Sequence, residues 1–227
     1  MKTNSLETAL LNLYFANQDA ANIGDATGLR GSSTAGSLYL SGHTAYPGEG
    51  GNQQSSEGAY PGYARKAVAR SGSEWTVSGN QASNANAQAF PQCTGGSETW
   101  FFVGIGRSSS GAGTLDYIAP LGTELGEGTA KTTDTLTIPG LSGLSVDDRI
   151  AFFALPKIAL PTGIIAGTVY WVKTVSGDDI TVSTTQGGAT LDITAVGSFN
   201  AYKMTGLAIS NLITPTVSAG QLVVREE

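Results

Sequence analysis

The most informative segment for the fold class is ETWFFVGIG, from Glu98 to Gly106. It is a short and nearly continuous run of apolar residues, bounded by a polar residue at one end and glycine at the other. Such a run is typical of a strand that is buried on both faces. The stretch therefore predicts a buried strand within a β-rich fold.

Segments on both sides of this stretch extend the same prediction. Apolar residues alternate with polar ones, and turn residues separate the segments, as in β-sandwiches and jelly rolls. The segments are SLYLSGH (Ser37–His43), GYARKAVAR (Gly62–Arg70), EWTVSG (Glu74–Gly79) and TLDYIAPL (Thr114–Leu121). The 31 glycines among 227 residues, with only 13% charged residues, indicate many turns and a surface of small polar side chains.

One segment, residues 4–17, predicts a helix. Asn4 is the expected N-cap, and Glu7 lies at the spacing of a capping box. The predicted helix is amphipathic, so we expect it to pack against a sheet or a partner subunit. Its packing face is predicted to contain Leu6, Leu10, Leu13 and Asn17, with Ala9, Leu11 and Tyr14 beside it. The small polar residues 18–35 then predict a loop.

The pattern changes near Gly126. From about Thr133 to Met204 the chain is a series of short strands with Gly-Asp or Gly-Gly turns, which predicts a small barrel or sandwich. The tail Gly206–Glu227 returns to the pattern of the first half, so we expect the first and last segments to pair in one sheet.

The predicted fold class is all-β. It is a β-sandwich or jelly-roll-like domain with one N-terminal helix, split by insertion of a second small β-barrel or sandwich domain. The discontinuous main domain comprises residues 1–128 and 206–227, and the inserted domain comprises residues 129–205.

Charge and hydropathy exclude several kinds of partner. The formal net charge of −6 disfavours nucleic acid. Arg65, Lys66 and Arg70 cluster in the sequence, and we expect them on solvated strand faces. No stretch approaches the ~20 apolar residues of a membrane span, and the N-terminus does not resemble a signal peptide. The single cysteine, Cys93, rules out an intrachain disulfide and fits assembly in a reducing cytoplasm, where it is expected to be a small buried side chain.

The sequence gives little support for catalysis. A Ser-His-Asp or Cys-His arrangement would depend on the single histidine, His43, for which we favour a structural role. GIGRSS (Gly104–Ser109) and LGEGTAKT (Leu125–Thr132) only partly resemble nucleotide-binding loops and are best interpreted as turns. We therefore expect no catalytic residues and no cofactor.

Metal binding has equally little support. One cysteine and one histidine cannot form a usual zinc site. The pairs Asp147-Asp148 and Asp178-Asp179 could hold a hard cation only if the fold brought further oxygens to them, and Gly177 makes a hairpin turn the better interpretation of the second pair. We therefore expect no metal site.

A long segment between two Tyr-Pro-Gly motifs is the best candidate for a binding loop. Tyr46-Pro47-Gly48 and Tyr60-Pro61-Gly62 close its two ends. Tyrosine rings give large, stiff contact areas with a polar tip, which suits interfaces. The candidate interface residues are Tyr46, Tyr60, Tyr63 and Trp75. The alternative is that the rings of Tyr46 and Tyr60 pack against their own sheet.

Four segments together resemble a family of virion structural proteins of tailed bacteriophages. They are SLYLSGHTAYPGEGG, EGAYPGYARKAVARSGSEWTVSGNQASNANAQAFPQCTGG, FVGIGRSSSGAGTLDYIAPL and ITPTVSAGQLVVREE. Members of the family are labelled head decoration (cement) proteins or tail fibre proteins. This sequence departs from the family pattern at Tyr46, Pro61 and Lys66, where members often have Asp, Thr and Val. The resemblance covers most of residues 5–125 and 206–227, and the block between resembles β modules of phage tail and fibre proteins.

The resemblance implies a structural component of a phage virion, assembled in the host cytoplasm. The first hypothesis is a capsid decoration protein that stabilises the head. Its partners would be the major capsid protein and further copies of itself in a homo-oligomer such as a trimer, with multivalent binding to the repeating surface. The second hypothesis is a tail fibre or tail-associated protein that recognises a host surface. A third is an enzyme that degrades a surface glycan.

Overall fold

The computed structural model describes residues 2–21, 23 and 31–226. Within the loop predicted at 18–35, residues 22 and 24–30 lie outside this described part. The first half contains α1 (Asn4–Phe15), β1 (Ser37–His43), β2 (Lys66–Ala69), β3 (Trp75–Ser78), β4 (Gln81–Asn84), β5 (Gln88–Ala89), β6 (Ser97–Trp100), β7 (Phe102–Gly106) and β8 (Leu115–Pro120). The second half contains β9 (Gly122–Lys131), β10 (Thr135–Thr137), β11 (Arg149–Phe153), β12 (Tyr170–Ser176), β13 (Asp179–Ser183), β14 (Gly197–Met204), β15 (Leu207–Ser210), β16 (Thr216–Val217) and β17 (Val223–Arg225). The all-β prediction is confirmed.

The second half of the stretch Glu98–Gly106, strand β7, lies inside an antiparallel sheet with the order β2-β1-β7-β8. All residues of β7 are buried, as the continuous apolar run predicts. The stretch is not a single strand, however, because half-buried Phe101 interrupts it and separates β6 from β7. The two strands consequently join different sheets.

The C-terminal segment returns along the first half and closes it. β15 pairs with β6, β16 with β5, and β17 with β4, each in antiparallel register, and β4 also pairs with β3. The expected pairing of first and last segments is therefore present, but in three small sheets rather than one. We call this part of the chain, with α1 and the four-stranded sheet, the body.

Aromatic side chains fill the core of the body. Trp100 is fully buried and stacks on the ring of Tyr60 at 5.8 Å, while Phe90 meets it edge-on at 4.9 Å. Adding a Cβ atom at Gly42 would place it 2.1 Å from the indole of Trp100, so only glycine fits at this point of β1. These contacts join the central sheet to the loop before β2.

The helix α1 is present, but its packing face differs from the predicted one. The cap residue is Thr3 without a side-chain cap hydrogen bond, so the capping box from Asn4 is wrong. The buried residues are Glu7, Leu11 and Phe15, rather than the predicted Leu6, Leu10 and Leu13. Phe15 anchors the helix because its ring lies 4.7 Å from that of Trp75 in β3.

Six strands form a closed barrel in the order β10-β13-β12-β11-β14-β9. Its interior is a second core, which includes Leu136, Ile150, Phe152, Val172, Val182 and Phe199. The barrel starts at Gly122 and ends at Met204, so the predicted boundary at residue 129 falls inside β9. The division into two independently folding domains stays a prediction.

Candidate functional site

The four predicted interface residues lie in two different places. Trp75 and Tyr60 are 1% and 4% exposed and belong to the core of the body, and half-buried Tyr63 packs against the same core. Tyr46 lies elsewhere, between the body and the barrel. Burial gives Trp75 and Tyr60 an intramolecular packing role, as the alternative for Tyr60 proposed. An interface role for these four residues stays a prediction.

The loop between the two Tyr-Pro-Gly motifs is held by an enclosed ion pair. Arg65 donates from Nε to Glu57 Oε1 at 2.6 Å and from an Nη to Oε2 at 2.8 Å, and Tyr63 donates to the same carboxylate at 2.7 Å. Arg65 also donates to the carbonyl oxygens of Ser108 and Gly111. The prediction that Arg65 is solvated is therefore wrong, since its side chain is only 2% exposed.

Arg70 also differs from its predicted solvated position. Its guanidinium donates to the carbonyl oxygens of Leu13 and Tyr14. These carbonyls lie in the last turn of α1, where the helix leaves acceptors without partners and a positive charge is favourable. Arg70, which directly follows β2, therefore caps the C-terminal end of α1.

His43 has the hydrogen bonds of a buried structural histidine. Its Nδ1 is 2.9 Å from the carbonyl oxygen of Ser55, which can only accept, so Nδ1 carries the proton. Its Nε2 then accepts from the hydroxyl of Ser41 at 2.8 Å. Burial lowers the pKa of His43, and both side chains are 0% exposed, so this Ser–His pair is closed to a substrate in this conformation.

Tyr46 lies in an aromatic seam that joins the body to the barrel. Its ring centroid is 5.5 Å from that of Phe102 in β7 and 5.4 Å from that of Phe153 in β11. The seam continues to Tyr202 in β14, edge-on to Phe153 at 5.5 Å. Buried Met204 and Ala151 lie beneath it. The ring thus packs against the central sheet through Phe102, as the alternative proposed, and also against the barrel through Phe153.

A cleft of about 360 Å³ opens along this seam. Aromatic side chains line one part, and Glu124, Glu127 and Asn200 line another. Asn200 donates from Nδ2 to Glu124 Oε1 at 2.6 Å, and its enclosed Oδ1 has no hydrogen-bond partner among the described residues. The cleft thus combines aromatic surface with hydrogen-bond acceptors. It is the candidate functional site.

A β-bulge brings the two glutamates to the same side of β9. Asn200 is opposite Glu127 and Tyr202 is opposite Glu124, with one additional residue in β9 between them. Residues three apart would face opposite ways in a regular strand, but the bulge at Gly126, whose φ is +103°, rotates the chain. The sequence suggested only a turn here, because a bulge glycine has no distinct signal of its own.

One member of each aspartate pair considered for cations forms an ion pair with a lysine. Asp148 lies 2.7 Å from Lys203 Nζ, and Asp179 lies 2.9 Å from Lys131 Nζ. Hydrogen bonds from Thr137 and then Lys131 lower the pKa of Asp179. Burial alone would raise the pKa of Asp148, but the hydrogen bonds from Lys203 and Ser145 outweigh it, so the pKa is lowered. Gly177 has a φ of +60° in the β12–β13 turn, as the hairpin interpretation predicts. Across residues 2–21, 23 and 31–226, no three His, Cys, Asp or Glu residues group as metal ligands.

None of the described helices is long and apolar enough to span a membrane. The fold and the seam define an all-β protein in which a closed barrel is packed onto a second β body. Residues 2–142 match the family described as Podophage GP4 fiber I protein gp80. This match covers more than half of the chain, so the chain belongs to that family and is a structural component of a bacteriophage virion. No curated protein matches the chain.

The family description favours the second hypothesis from the sequence, a tail fibre protein, over capsid decoration. The resemblance to a phage virion family is confirmed, but the description names a fibre and not head decoration. The match also extends through β9 and β10 and ends before β11. It therefore includes part of the barrel, whereas the resemblance drawn from the sequence stopped near residue 125.

Proposed function

We propose that this protein is a tail-fibre subunit of a tailed bacteriophage. The observation that carries the proposal is the fibre family match over residues 2–142. Capsid decoration, the first hypothesis from the sequence, is the alternative, and the major capsid protein would be the partner only in that case.

The structure supports a subunit whose body and barrel are held in one arrangement. The body and barrel are joined by Tyr46, Phe102, Phe153 and Tyr202, and Arg149 in β11 lies 5.2 Å from the ring of Phe101. Such packing favours one relative position of the two parts, which suits a subunit that transmits a binding event along a fibre. The subunit would act as a homo-oligomer, with a trimer as the first state to test.

We also propose that the protein has no catalytic activity of its own. The enclosure of Ser41 and His43 supports this view, because a nucleophile and its base must reach the substrate. Glycan depolymerisation remains a measurable alternative. Incubation of the purified protein with host-surface polysaccharide should release no reducing ends.

The location on the virion tests the proposal directly. Gold-labelled antibodies raised against the purified protein should mark the tail of intact particles in electron micrographs. An antibody against the major capsid protein provides the matched control on the same grids. Label distributed over the whole head would contradict the fibre proposal and support capsid decoration.

A further inference from the structure

The seam cleft has walls that attract positive charge. The ring of Phe153 is at 83° to that of Tyr46 and at 88° to that of Tyr202. All three rings line the cleft. Aromatic faces attract organic cations through their quadrupole, and several rings around one cavity are a known arrangement for binding ammonium groups.

Two carboxylates face the same cavity. Glu124 and Glu127 are exposed, and neither forms an ion pair with any residue in the described ranges. Glu49 adds negative charge near Tyr46. Burial is the main cause of the raised pKa of Tyr46, and the charge of Glu49 raises this pKa further. Arg225 is the opposing charge, close enough to Tyr202 to lower its pKa slightly against the larger effect of burial. The net local charge remains negative.

A hydrogen bond holds one of the two carboxylates in position. Asn200 fixes the carboxylate of Glu124 by its amide nitrogen, while its own amide oxygen is enclosed and unpaired among the described residues. An ammonium ligand supplies positive charge for the glutamates and, where it is a primary amine, N–H donors as well.

We propose that the seam cleft binds an organic ammonium group. Its carbon skeleton would contact Tyr46, Phe153 and Tyr202, and its charge would lie between the carboxylates of Glu124 and Glu127. The cleft volume of about 360 Å³ accommodates a small molecule or one sugar ring. Two sources of this chemistry are an amino sugar, with a primary ammonium, and choline, with a quaternary one.

Titration of the full-length purified protein with three probes tests the proposal. Glucosamine and choline carry the positive charge at about pH 6, while N-acetylglucosamine is neutral. Binding is followed by calorimetry and by amide shifts at Gly126 and Asn200. We expect at least one cation to bind, at least about tenfold more tightly than N-acetylglucosamine, and the tighter cation identifies the source.

Charge-neutral variants supply the second part of the test. The double variant Glu124→Gln with Glu127→Gln should weaken cation binding by about tenfold. Asp147→Asn removes the same kind of charge at the opposite end of β11 and should change affinity by less than about twofold. Equal affinity for glucosamine and N-acetylglucosamine with none for choline, or no shift with either cation up to about 50 mM, would overturn the proposal. The measurement needs no virion, so its result is independent of the fibre assignment.

Discussion

Arg65 and Glu57 show how a polar sequence can form a rigid loop. Their side chains are 2% and 14% exposed, and the guanidinium donates to two carboxylate oxygens and two backbone carbonyls. The sequence predicted a solvated strand face, because alternating charged residues are usually exposed. The partner Glu57 lies in the preceding loop, and local pattern carries no information on that contact. The same limit applies to the burial of Tyr60 and Trp75, whose core partners Trp100 and Phe15 are distant in the sequence.

The enclosed ion pair leads to a stability prediction. Arg65→Met leaves the Glu57 carboxylate with little solvent and no cation, so it should lower the free energy of unfolding by about 3–5 kcal/mol. Arg107→Met is the matched control, because Arg107 pairs with Asp116 but its side chain is 62% exposed. The control should lose about 0–1 kcal/mol. Urea unfolding followed by tryptophan fluorescence measures both, and equal losses would contradict the account.

Because His43 is buried, we expect the free energy of unfolding to fall in acid. Burial holds its pKa below the unfolded value of about 6.5, so the unfolded chain binds the additional proton. The stabilising effect is present above pH 6.5 and is lost as the pH falls below it. Between about pH 7.5 and 5.5 the wild type should lose roughly 1 kcal/mol more than His43→Gln. Chemical unfolding at several pH values measures the free energy of unfolding of both proteins. Parallel dependences on pH for the wild type and His43→Gln would refute the prediction.

At the scale of elements, pattern predicted the strands well and their partners less well. β1 lies at its predicted residues, and β8 ends at Pro120 as expected. The run Glu98–Gly106 divides at Phe101, because β6 before it pairs with β15 and β7 after it pairs with β1 and β8. The candidate cleft could not be predicted, since the bulge at Gly126 and the contacts of Tyr46 depend on where β9 meets β14 and β11.

The helix gives a direct comparison between predicted and observed faces. Leu11→Ala should lower the free energy of unfolding by about 2–5 kcal/mol, because Leu11 is 1% exposed in the core of the body. Leu10 belongs to the predicted face but is only half-buried, so Leu10→Ala should cost less than about 1.5 kcal/mol. Thermal and urea unfolding measure the difference. A larger loss for Leu10→Ala would mean that α1 docks by the other face.

At the scale of the whole molecule, the chain closes on itself twice. The C-terminal strands β15, β16 and β17 pair back onto β6, β5 and β4, and the barrel between β8 and β15 closes through β9 and β14. The C-terminal tail therefore completes the sheets of the body. This pairing of the first and last segments was predicted from the sequence pattern. Tyr46 and Phe153 then determine how the two parts contact each other.

The seam can be loosened without unfolding the barrel. Tyr46→Ala removes the ring that touches both Phe102 and Phe153, so hydrogen exchange should accelerate at the start of β7 and at the end of β11. Protection of β12 and β13 should remain, since these strands lie on the barrel core away from the seam. Val196→Ala, at a side chain that is 71% exposed, is the control. Uniform acceleration through both parts would contradict a local seam.

The copy number per virion distinguishes a fibre subunit from a capsid decoration protein. Quantitative mass spectrometry of purified particles gives the ratio of this protein to the major capsid protein. A fibre subunit predicts a few copies per hundred capsid subunits. A ratio near one to one would contradict the fibre assignment and indicate a decoration lattice on the head.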